Sequence, residues 1–452
     1  MSFKENSFSD YPWVEYDRRQ DKYVVSPQKL SMFLTGPKCP IPFKAVEQVG
    51  KAKPTIYCYN EGYYKQTTWN ELHGFIKGLM PKELRTSRNV DDVIYELKTE
   101  PSMSMEAFNS DEDIVNLDNG IYHISTGELT PHTPEILSTI RIPCKYDGSL
   151  TLENDAPVFS QFLNTLTNED AVDQTFLLEF IGAIISNVPG YRFKKCLILV
   201  GPGNTGKSQL RQLVISILGP ENCQTIDLAK LNDRFSTSQL FGKRLGGSGD
   251  MSFVRVQEMS TLKSLSGGDD VNSEYKGKDA FSYKYRGFLW FNCNELPAFG
   301  GDRGKHVYER FAILQCNNVI PENERDSQLL EKMLAERDAI VSVSLRYLAD
   351  AVKRGYKFTE SECMVLSREE YAERNNSLVV FVKEHCTMGG RTKRSEFRRL
   401  YREWCQMEGM YPEPSRNIDA ILKEYFGITP IKSNEYYYSL TIKDHIHFAF
   451  NH

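Results

Sequence analysis

The stretch that most constrains this chain is KCLILVGPGNTGKSQLRQLVISILG, residues 195–219. Its apolar run, Cys196 to Val200, predicts a short buried strand because it is bounded by turn-forming residues. Residues 201–208, called here the glycine-rich loop, fit the pattern G-x-x-x-x-G-K-S/T. Apolar residues then recur at helical spacing until Gly219 and Pro220, which end a helix. A strand, a glycine-rich loop and a helix in this order predict an α/β fold.

The glycine-rich loop has the chemistry of a phosphate site. Its glycines let backbone N–H groups close around phosphate oxygens, and the following helix adds positive partial charge at its N-terminus. Lys207 supplies a full charge to the β- and γ-phosphates, and the Ser208 hydroxyl is suited to ligate Mg²⁺. We therefore expect ATP to be bound by Gly201, Pro202, Gly203, Asn204, Thr205, Gly206, Lys207 and Ser208.

A second acid is expected to help hold Mg²⁺ together with Ser208. The candidate is Asp250, which ends the stretch KRLGGSGD and would lie at the end of a strand. That strand is unusually rich in glycine, and Met251 stands where many such ATPases have another acid. The general base is therefore unassigned, with Glu258 as a distant alternative. The alternative for Asp250 itself is an ordinary turn aspartate.

Further along, SEYKGKDAFSYKYR predicts a β-hairpin with Lys276 and Lys278 at its tip. Two lysines at a tip suit a phosphate backbone, and a simply solvated tip is the alternative. The aromatic residues Tyr275, Phe281 and Tyr283 have two candidate roles. They either pack at the base of the hairpin or stack on nucleic-acid bases.

The stretch FLWFNCNELP predicts another buried strand, which ends at Asn292 or Asn294. An amide at the end of a central strand can orient water against a γ-phosphate. Three cations, Arg303, Lys305 and Arg310, then precede a further strand. An arginine in this position can act on the ATP of a neighbouring subunit, as arginine fingers do.

This order of motifs resembles the superfamily-three helicases of the AAA+ class, and most closely the phage, plasmid and poxvirus primase–helicase group. The resemblance extends from about Ile114 to the C-terminus and includes replication proteins of phages and mobile genomic islands. It implies a Walker A motif, a Walker B acid, a sensor asparagine, a trans-acting finger and a DNA-translocating hairpin. In this order, the matching residues are Gly201, Gly206, Lys207 and Ser208; Asp250; Asn294; Arg310, with Arg303 second; and Lys276 and Lys278.

The resemblance implies an ATP-dependent replicative DNA helicase or initiator of a phage or mobile genetic element. Such a protein forms a homo-hexameric ring on single-stranded DNA. About 110 residues precede Ile114, few for a primase, and they lack an obvious acidic metal motif. We therefore expect a separate primase or host replication proteins as partners. The alternatives are an origin-binding AAA+ ATPase without processive unwinding and a monomeric P-loop kinase or transferase.

The expected architecture is an AAA+ core with flanking domains. An N-terminal α+β accessory domain over 1–150, for interaction or as a DNA collar, is followed by a small helical domain over 151–190. The ATPase domain covers 191–355 and a winged-helix module covers 370–452. In that module, Phe397, Leu400, Tyr401, Trp404 and Cys405 share one helical face, and two strands flank residues 432–434.

Two arginines of the C-terminal module, Arg398 and Arg402, share another face of the same helix and are candidate DNA contacts. The next helix, about 415–425, would be the recognition helix. A solvated charged helix is the alternative, and the strands would serve equally well to pack against the ATPase ring.

Composition adds limits on location. The net charge of −5 neither indicates nor excludes nucleic-acid binding, and the ten scattered cysteines indicate reduced thiols, with no zinc site or disulfide framework. The sequence predicts no secretory signal and no membrane-spanning segment. We expect a protein of the bacterial host cytoplasm.

Overall fold

A computed structural model gives the fold and describes residues 8–48, 53–99, 102–251, 256, 258–297 and 305–443. The N-terminal elements alternate strands with three helices that cover one four-stranded sheet, ordered β5-β4-β3-β6. They are β1 (Val14–Asp17), β2 (Lys22–Val25), α1 (Pro27–Thr35), β3 (Phe43–Glu47), β4 (Thr55–Asn60), β5 (Tyr63–Gln66), α2 (Trp69–Gly78), α3 (Ser87–Thr99) and β6 (Met103–Ser104). The apolar faces of the helices and the sheet form a core of their own around Leu30, Ile76 and Val90.

A small antiparallel sheet and four helices come next. They are β7 (Ile114–Leu117), β8 (Gly120–His123), β9 (Leu129–Thr130), α4 (Leu152–Asp155), α5 (Pro157–Leu166), α6 (Ala171–Ile185) and α7 (Gly190–Phe193). In α6, every residue from Phe176 to Ile185 is buried, which explains the nearly continuous apolar sequence of that stretch. The acid within it, Glu179, accepts hydrogen bonds from Thr359 and forms an ion pair with Arg354.

The central sheet has five parallel strands in the order β11-β12-β15-β10-β16. The elements of this region are β10 (Cys196–Val200), α8 (Lys207–Leu218), β11 (Cys223–Thr225), β12 (Leu245–Gly247), α9 (Ser260–Gly267), β13 (Asp270–Glu274), β14 (Ala280–Lys284), β15 (Phe288–Cys293), α10 (Lys305–Tyr308), β16 (Phe311–Gln315), α11 (Leu329–Ala335) and α12 (Arg337–Lys353). Strands β13 and β14 form a separate antiparallel pair. Both faces of the sheet are covered by buried apolar side chains, which is why the central strands are apolar throughout. The predicted α/β class is confirmed.

The C-terminal module contains α13 (Glu362–Asn375), α14 (Ser377–His385), β17 (Cys386–Lys393), α15 (Arg394–Met407), α16 (Ser415–Phe426), β18 (Ile431–Lys432) and β19 (Tyr436–Ile442). The apolar face predicted for α15 is buried. The two predicted strands are present, but β17, which the sequence analysis missed, completes an antiparallel sheet ordered β17-β19-β18. Its sequence, CTMGGRTK, is mostly exposed and irregular, so it carries no alternating apolar pattern.

Residues between the N-terminal sheet and the central sheet pack on both. Side chains of 115–144 share one core with α5, α6, α8 and α12, whereas Leu137 packs against the N-terminal core around Phe108. Backbone N–H groups of Lys145 and Asp147 donate to Asp338 and Ser342 of α12. The helices of 151–190 share the core of the central sheet, and the predicted domain bounds stay a prediction.

Candidate functional site

The glycine-rich loop leaves the sheet at the carboxyl end of β10, where open α/β sheets bind ligands. Helix α8 begins at Lys207, directly after Gly206. Gly206 has φ +97°, and a Cβ there would lie 2.8 Å from Cε2 of Phe162 on α5. Glycine is required here because both the backbone conformation and the close approach of α5 exclude a side chain.

Lys207 bends back over the loop. Its ammonium donates to the carbonyl oxygens of Gly201 (2.7 Å) and Pro202 (2.6 Å) and to the hydroxyl of Thr205 (3.2 Å). Only 6% of the residue is exposed, and this burial lowers the pKa of Lys207, while the nearby Asp250 acts in the opposite direction. The three acceptors are neutral oxygens and do not neutralise the ammonium, so its positive charge would be available to attract a bound anion.

The segment that carries Asp250 runs beside β15. Strand β12 ends at Gly247, but Asn292 still donates its N–H to Ser248 O (2.9 Å), and Met251 donates to Asn292 O (2.8 Å). A Cβ at Gly247, where φ is +131°, would lie 1.9 Å from Trp290 O. The unusual glycine content of this strand therefore has a steric cause, the close approach of its backbone to β15.

One cavity of about 340 Å³ gathers the predicted nucleotide residues. It is lined by Gly203, Asn204, Thr205, Gly206, Lys207, Ser208, Gln209, Gly249, Asp250, Asn292, Cys293 and Asn294. The structure thus brings Lys207, Ser208, Asp250 and Asn294 together, with Gly201 and Pro202 behind them as acceptors of Lys207. Glu258 is exposed and is absent from this lining in the described part of the chain.

The oxygen donors of the cavity fit Mg²⁺. Ser208 and Asp250 offer a hydroxyl and a carboxylate, and Mg²⁺ prefers one or two such ligands plus phosphate and water oxygens. Within the described residues, no cluster of three or more His, Cys, Asp or Glu side chains could hold a metal ion.

A larger cavity, about 530 Å³, adjoins the loop on its other side. Its walls come from α5, including Gln161, Phe162 and Thr165, and from residues 318–332. The segment after β16 is fastened to the loop because Ile320 donates its N–H to Asn204 O (2.9 Å). Sequence reasoning missed these walls, although the turn-rich NNVIPEN directly after a strand was a usable signal.

Arg310 lies at the amino ends of the parallel strands, opposite the carboxyl ends where the glycine-rich loop lies. Its carbonyl accepts the N–H of Cys196 at the start of β10 (2.7 Å), and its guanidinium donates to the Ser266 hydroxyl (3.1 Å). The loop begins at the far end of β10, a strand about 16 Å long. Arg310 is therefore not brought to the cavity of its own chain. Lys305 begins α10, and Arg303 lies outside the described residues.

The hairpin forms as predicted, with Glu274 paired to Ala280 across the tip. Lys276 and Lys278 are exposed there, and the Lys278 ammonium lies 5.6 Å from the ring centroid of Tyr275. Tyr275 stacks on Phe281 at a centroid distance of 5.3 Å. These rings pack on each other in the structure, and contact of the lysines with DNA stays a prediction.

The predicted DNA-contacting arginines of α15 are engaged within the module. Arg398 donates to Asp419 (3.1 Å) and to Ser415 O (3.0 Å), and Arg402 donates to the Ser415 hydroxyl (2.7 Å). Both therefore brace the start of α16. The exposed cations of α16 itself are Arg416 and Lys423. A role for Arg398 and Arg402 in DNA binding remains a prediction.

Two family models match the chain. One, described as a family of unknown function (DUF5906), covers residues 199–310 and so includes the loop, Asp250, the hairpin, Asn294 and Arg310. The other, described as D5 N terminal like, covers residues 54–168. The second match runs from β4 through α5 and so leaves out β3 of the N-terminal sheet.

Among curated proteins, the chain is similar to "Putative helicase 184R" of Invertebrate iridescent virus 6. The two are 24% identical over 248 residues, which is 52% of this chain and 25% of the viral protein. The chain thus matches only about a quarter of that relative's length.

Among solved structures, two apo structures titled as the NrS-1 C-terminal region each cover 92% of this chain at a TM-score of 0.45. The matched regions cover 98% and 99% of those two chains, at 13% and 15% sequence identity.

In the described residues, no helix is both long enough and apolar enough to cross a membrane.

Proposed function

We propose that this chain is an ATP-dependent DNA helicase for the replication of a phage, virus or mobile genetic element, of the AAA+ superfamily-three type. The observation that carries the proposal is the cavity that gathers Lys207, Ser208, Asp250 and Asn294 at the carboxyl edge of a parallel sheet. Similarity to a viral protein named as a helicase supports the same assignment.

In this proposal, the smaller cavity holds the phosphates of ATP and the larger cavity holds the base and ribose. Lys207 would exchange its neutral acceptors for phosphate oxygens, and the exposed Ser208 and Asp250 would hold Mg²⁺, which neutralises phosphate charge when bound. Asn294 would orient water near the terminal phosphate. Each of these side chains lies on the cavity lining, so no large rearrangement of the sheet is needed.

The position of Arg310 supports a ring. Since this arginine lies at the opposite edge of the sheet from its own loop, a second copy of the chain would have to supply the finger. A closed ring of six copies, with Lys276 and Lys278 facing its channel, would couple hydrolysis to movement along single-stranded DNA. The C-terminal module, as a winged helix, would add contacts to duplex DNA.

A forked-duplex unwinding assay tests this function. Lys276→Ala with Lys278→Ala should hydrolyse ATP yet fail to separate strands, because the charges at the hairpin tip are lost. Lys284→Ala is the matched control, since this exposed lysine lies on β14 away from the tip. Normal unwinding by the double variant would refute the hairpin assignment. DNA-dependent hydrolysis without any strand separation by the unaltered protein would favour an origin-binding ATPase.

A further inference from the structure

A second amide lies deeper in the phosphate cavity than Asn294. Asn292 is 1% exposed and stands on β15, two residues before the predicted sensor. Its backbone is fully used in the sheet, through Ser248 O and the N–H of Met251. The residue belongs to the lining of the same cavity as Lys207 and Asp250. This position makes it a candidate for direct contact with the bound ligand.

The orientation of this amide is fixed by Trp290. The indole Nε1–H donates to Asn292 Oδ1 at 2.8 Å, and both residues are buried. Since an indole N–H can only donate, the amide oxygen must face it, and the amide NH₂ must face away. That Nδ2 has no hydrogen-bond partner among the described residues. A buried donor without an acceptor is costly, so its retention needs an explanation.

We infer that Asn292 donates from Nδ2 to an oxygen of the terminal phosphate of bound ATP, with Trp290 as its positioning residue. This inference rests on the proposed function. An incoming group would supply the acceptor that the described residues do not give Nδ2. A phosphate oxygen is suited to this role, since Lys207 and Ser208 line the same cavity. The two amides, Asn292 and Asn294, would then contact the nucleotide from successive inward-facing positions of one strand.

The test compares ATP and ADP affinities of the full chain by titration with fluorescent analogues. Asn292→Leu keeps the number and branching of the side-chain heavy atoms but removes the donor, so ATP affinity should fall roughly 10- to 100-fold while ADP affinity is retained. Trp290→Phe should shift the ATP/ADP ratio in the same direction but less, because the amide loses its orienting donor. Thermal unfolding is measured in parallel.

A structural role predicts a different result. If Asn292 serves only as the acceptor of the Trp290 indole N–H, Asn292→Leu would lower the unfolding temperature while the ATP/ADP ratio would not change, which would overturn the inference. Should Asn292→Leu fail to fold, an unchanged ratio in Trp290→Phe overturns it equally. Lys207→Ala separates the two proposals: loss of ATP binding in Lys207→Ala with a normal ratio in Asn292→Leu refutes this inference alone. Unaltered ATP binding in Lys207→Ala refutes the proposed site itself.

Discussion

The carboxyl edge of the central sheet and the C-terminal module are both rich in polar side chains, but they use them differently. At the sheet edge, Lys207, Asp250 and Asn292 face one cavity, and the amide of Asn292 has a donor without a described partner. In the module, the arginines of α15 are paired internally: Arg394 and Arg398 with Asp419, Arg399 with Glu403, and Arg402 with Ser415.

The difference shows what makes a polar cluster a site. At the carboxyl ends of parallel strands, the backbone places polar side chains around one cavity. On a basic helix the backbone imposes no such placement, and the long arginine side chains bend towards the nearest hydrogen-bond acceptors. The first prediction below therefore asks whether the sheet edge acts on a ligand, and the third asks whether the cations of α15 act on structure.

The largest expected effect comes from placing defects in Arg310 and in Lys207, at opposite ends of the parallel strands, on different subunits. Arg310→Ala and Lys207→Ala should each lose ATP turnover by about 100-fold or more. An equimolar mixture should recover about tenfold over either variant, because intact loops then meet intact fingers across subunit boundaries. Turnover in mixtures at fixed total protein measures this.

The control mixture is Lys207→Ala with Asp250→Asn, where both defects lie on the loop side and every loop is damaged. No recovery is expected there. If neither mixture recovers turnover, although thermal unfolding shows that every variant is folded, the result would contradict an arginine finger supplied by the neighbouring subunit.

The second prediction concerns the strand that presents Asp250. Gly247→Ala should lower the free energy of unfolding by about 3 kcal/mol or more, because the methyl group would collide with Trp290 O. Gly277→Ala is the control, with φ +74° but no atom within 4 Å of the added Cβ, and should cost about 1 kcal/mol. Chemical denaturation of both variants gives the comparison, and equal losses would show that the close approach to β15 is unimportant.

The third prediction sharpens the contrast within the module. Asp419→Ala should lower its stability by about 1–3 kcal/mol, since Arg394 and Arg398 lose their partner. Glu403→Ala removes only the more exposed pair with Arg399 and should cost about 0.5 kcal/mol or less. Hydrogen exchange in α15 and α16 reports both changes. Unchanged exchange in Asp419→Ala would mean that the arginines are not braces.

The smallest expected effect is on thiol chemistry. Burial raises the pKa of Cys293 and of Cys316 to about 12, whereas Cys363 is exposed. At pH 8, the first two are thiolate to about one part in 10⁴, so an alkylating reagent should modify Cys363 first. Mass spectrometry of a time course measures the order, and early modification of Cys293 would contradict the packing around β15.

The same pKa shifts set a direction for stability. Above the unfolded thiol pKa, about 8.5, the folded state retains protons that the unfolded state releases. These thiols therefore make stability fall as pH rises from about 8.5 towards 12.

Local patterns were sufficient for part of this structure. The strand, loop and helix around Lys207, the hairpin with Lys276 and the buried face of α15 each depend on residues close in sequence, so their periodicity and turns predicted them. Strand β17 was missed because its residues are mostly exposed and its pairing with β19 spans about 50 residues of chain.

The remaining features depend on long-range contacts. The wall of the larger cavity joins α5 to the segment after β16, as in the bond from Asn318 to Thr165 O. The pairing of Arg398 with Asp419 joins two helices, and the spacing of charges along the sequence does not predict it. For the site, sequence reasoning found the side chains on the cavity floor, but not the donor left unpartnered on Asn292.

The most direct test of the central claim is steady-state ATP hydrolysis by the unaltered chain and by Lys207→Ala, with and without single-stranded DNA. The unaltered chain should hydrolyse ATP faster when the DNA is present, and Lys207→Ala should lose turnover by about 100-fold or more in both conditions. Equal turnover by the two proteins, or turnover indifferent to DNA, would contradict the account.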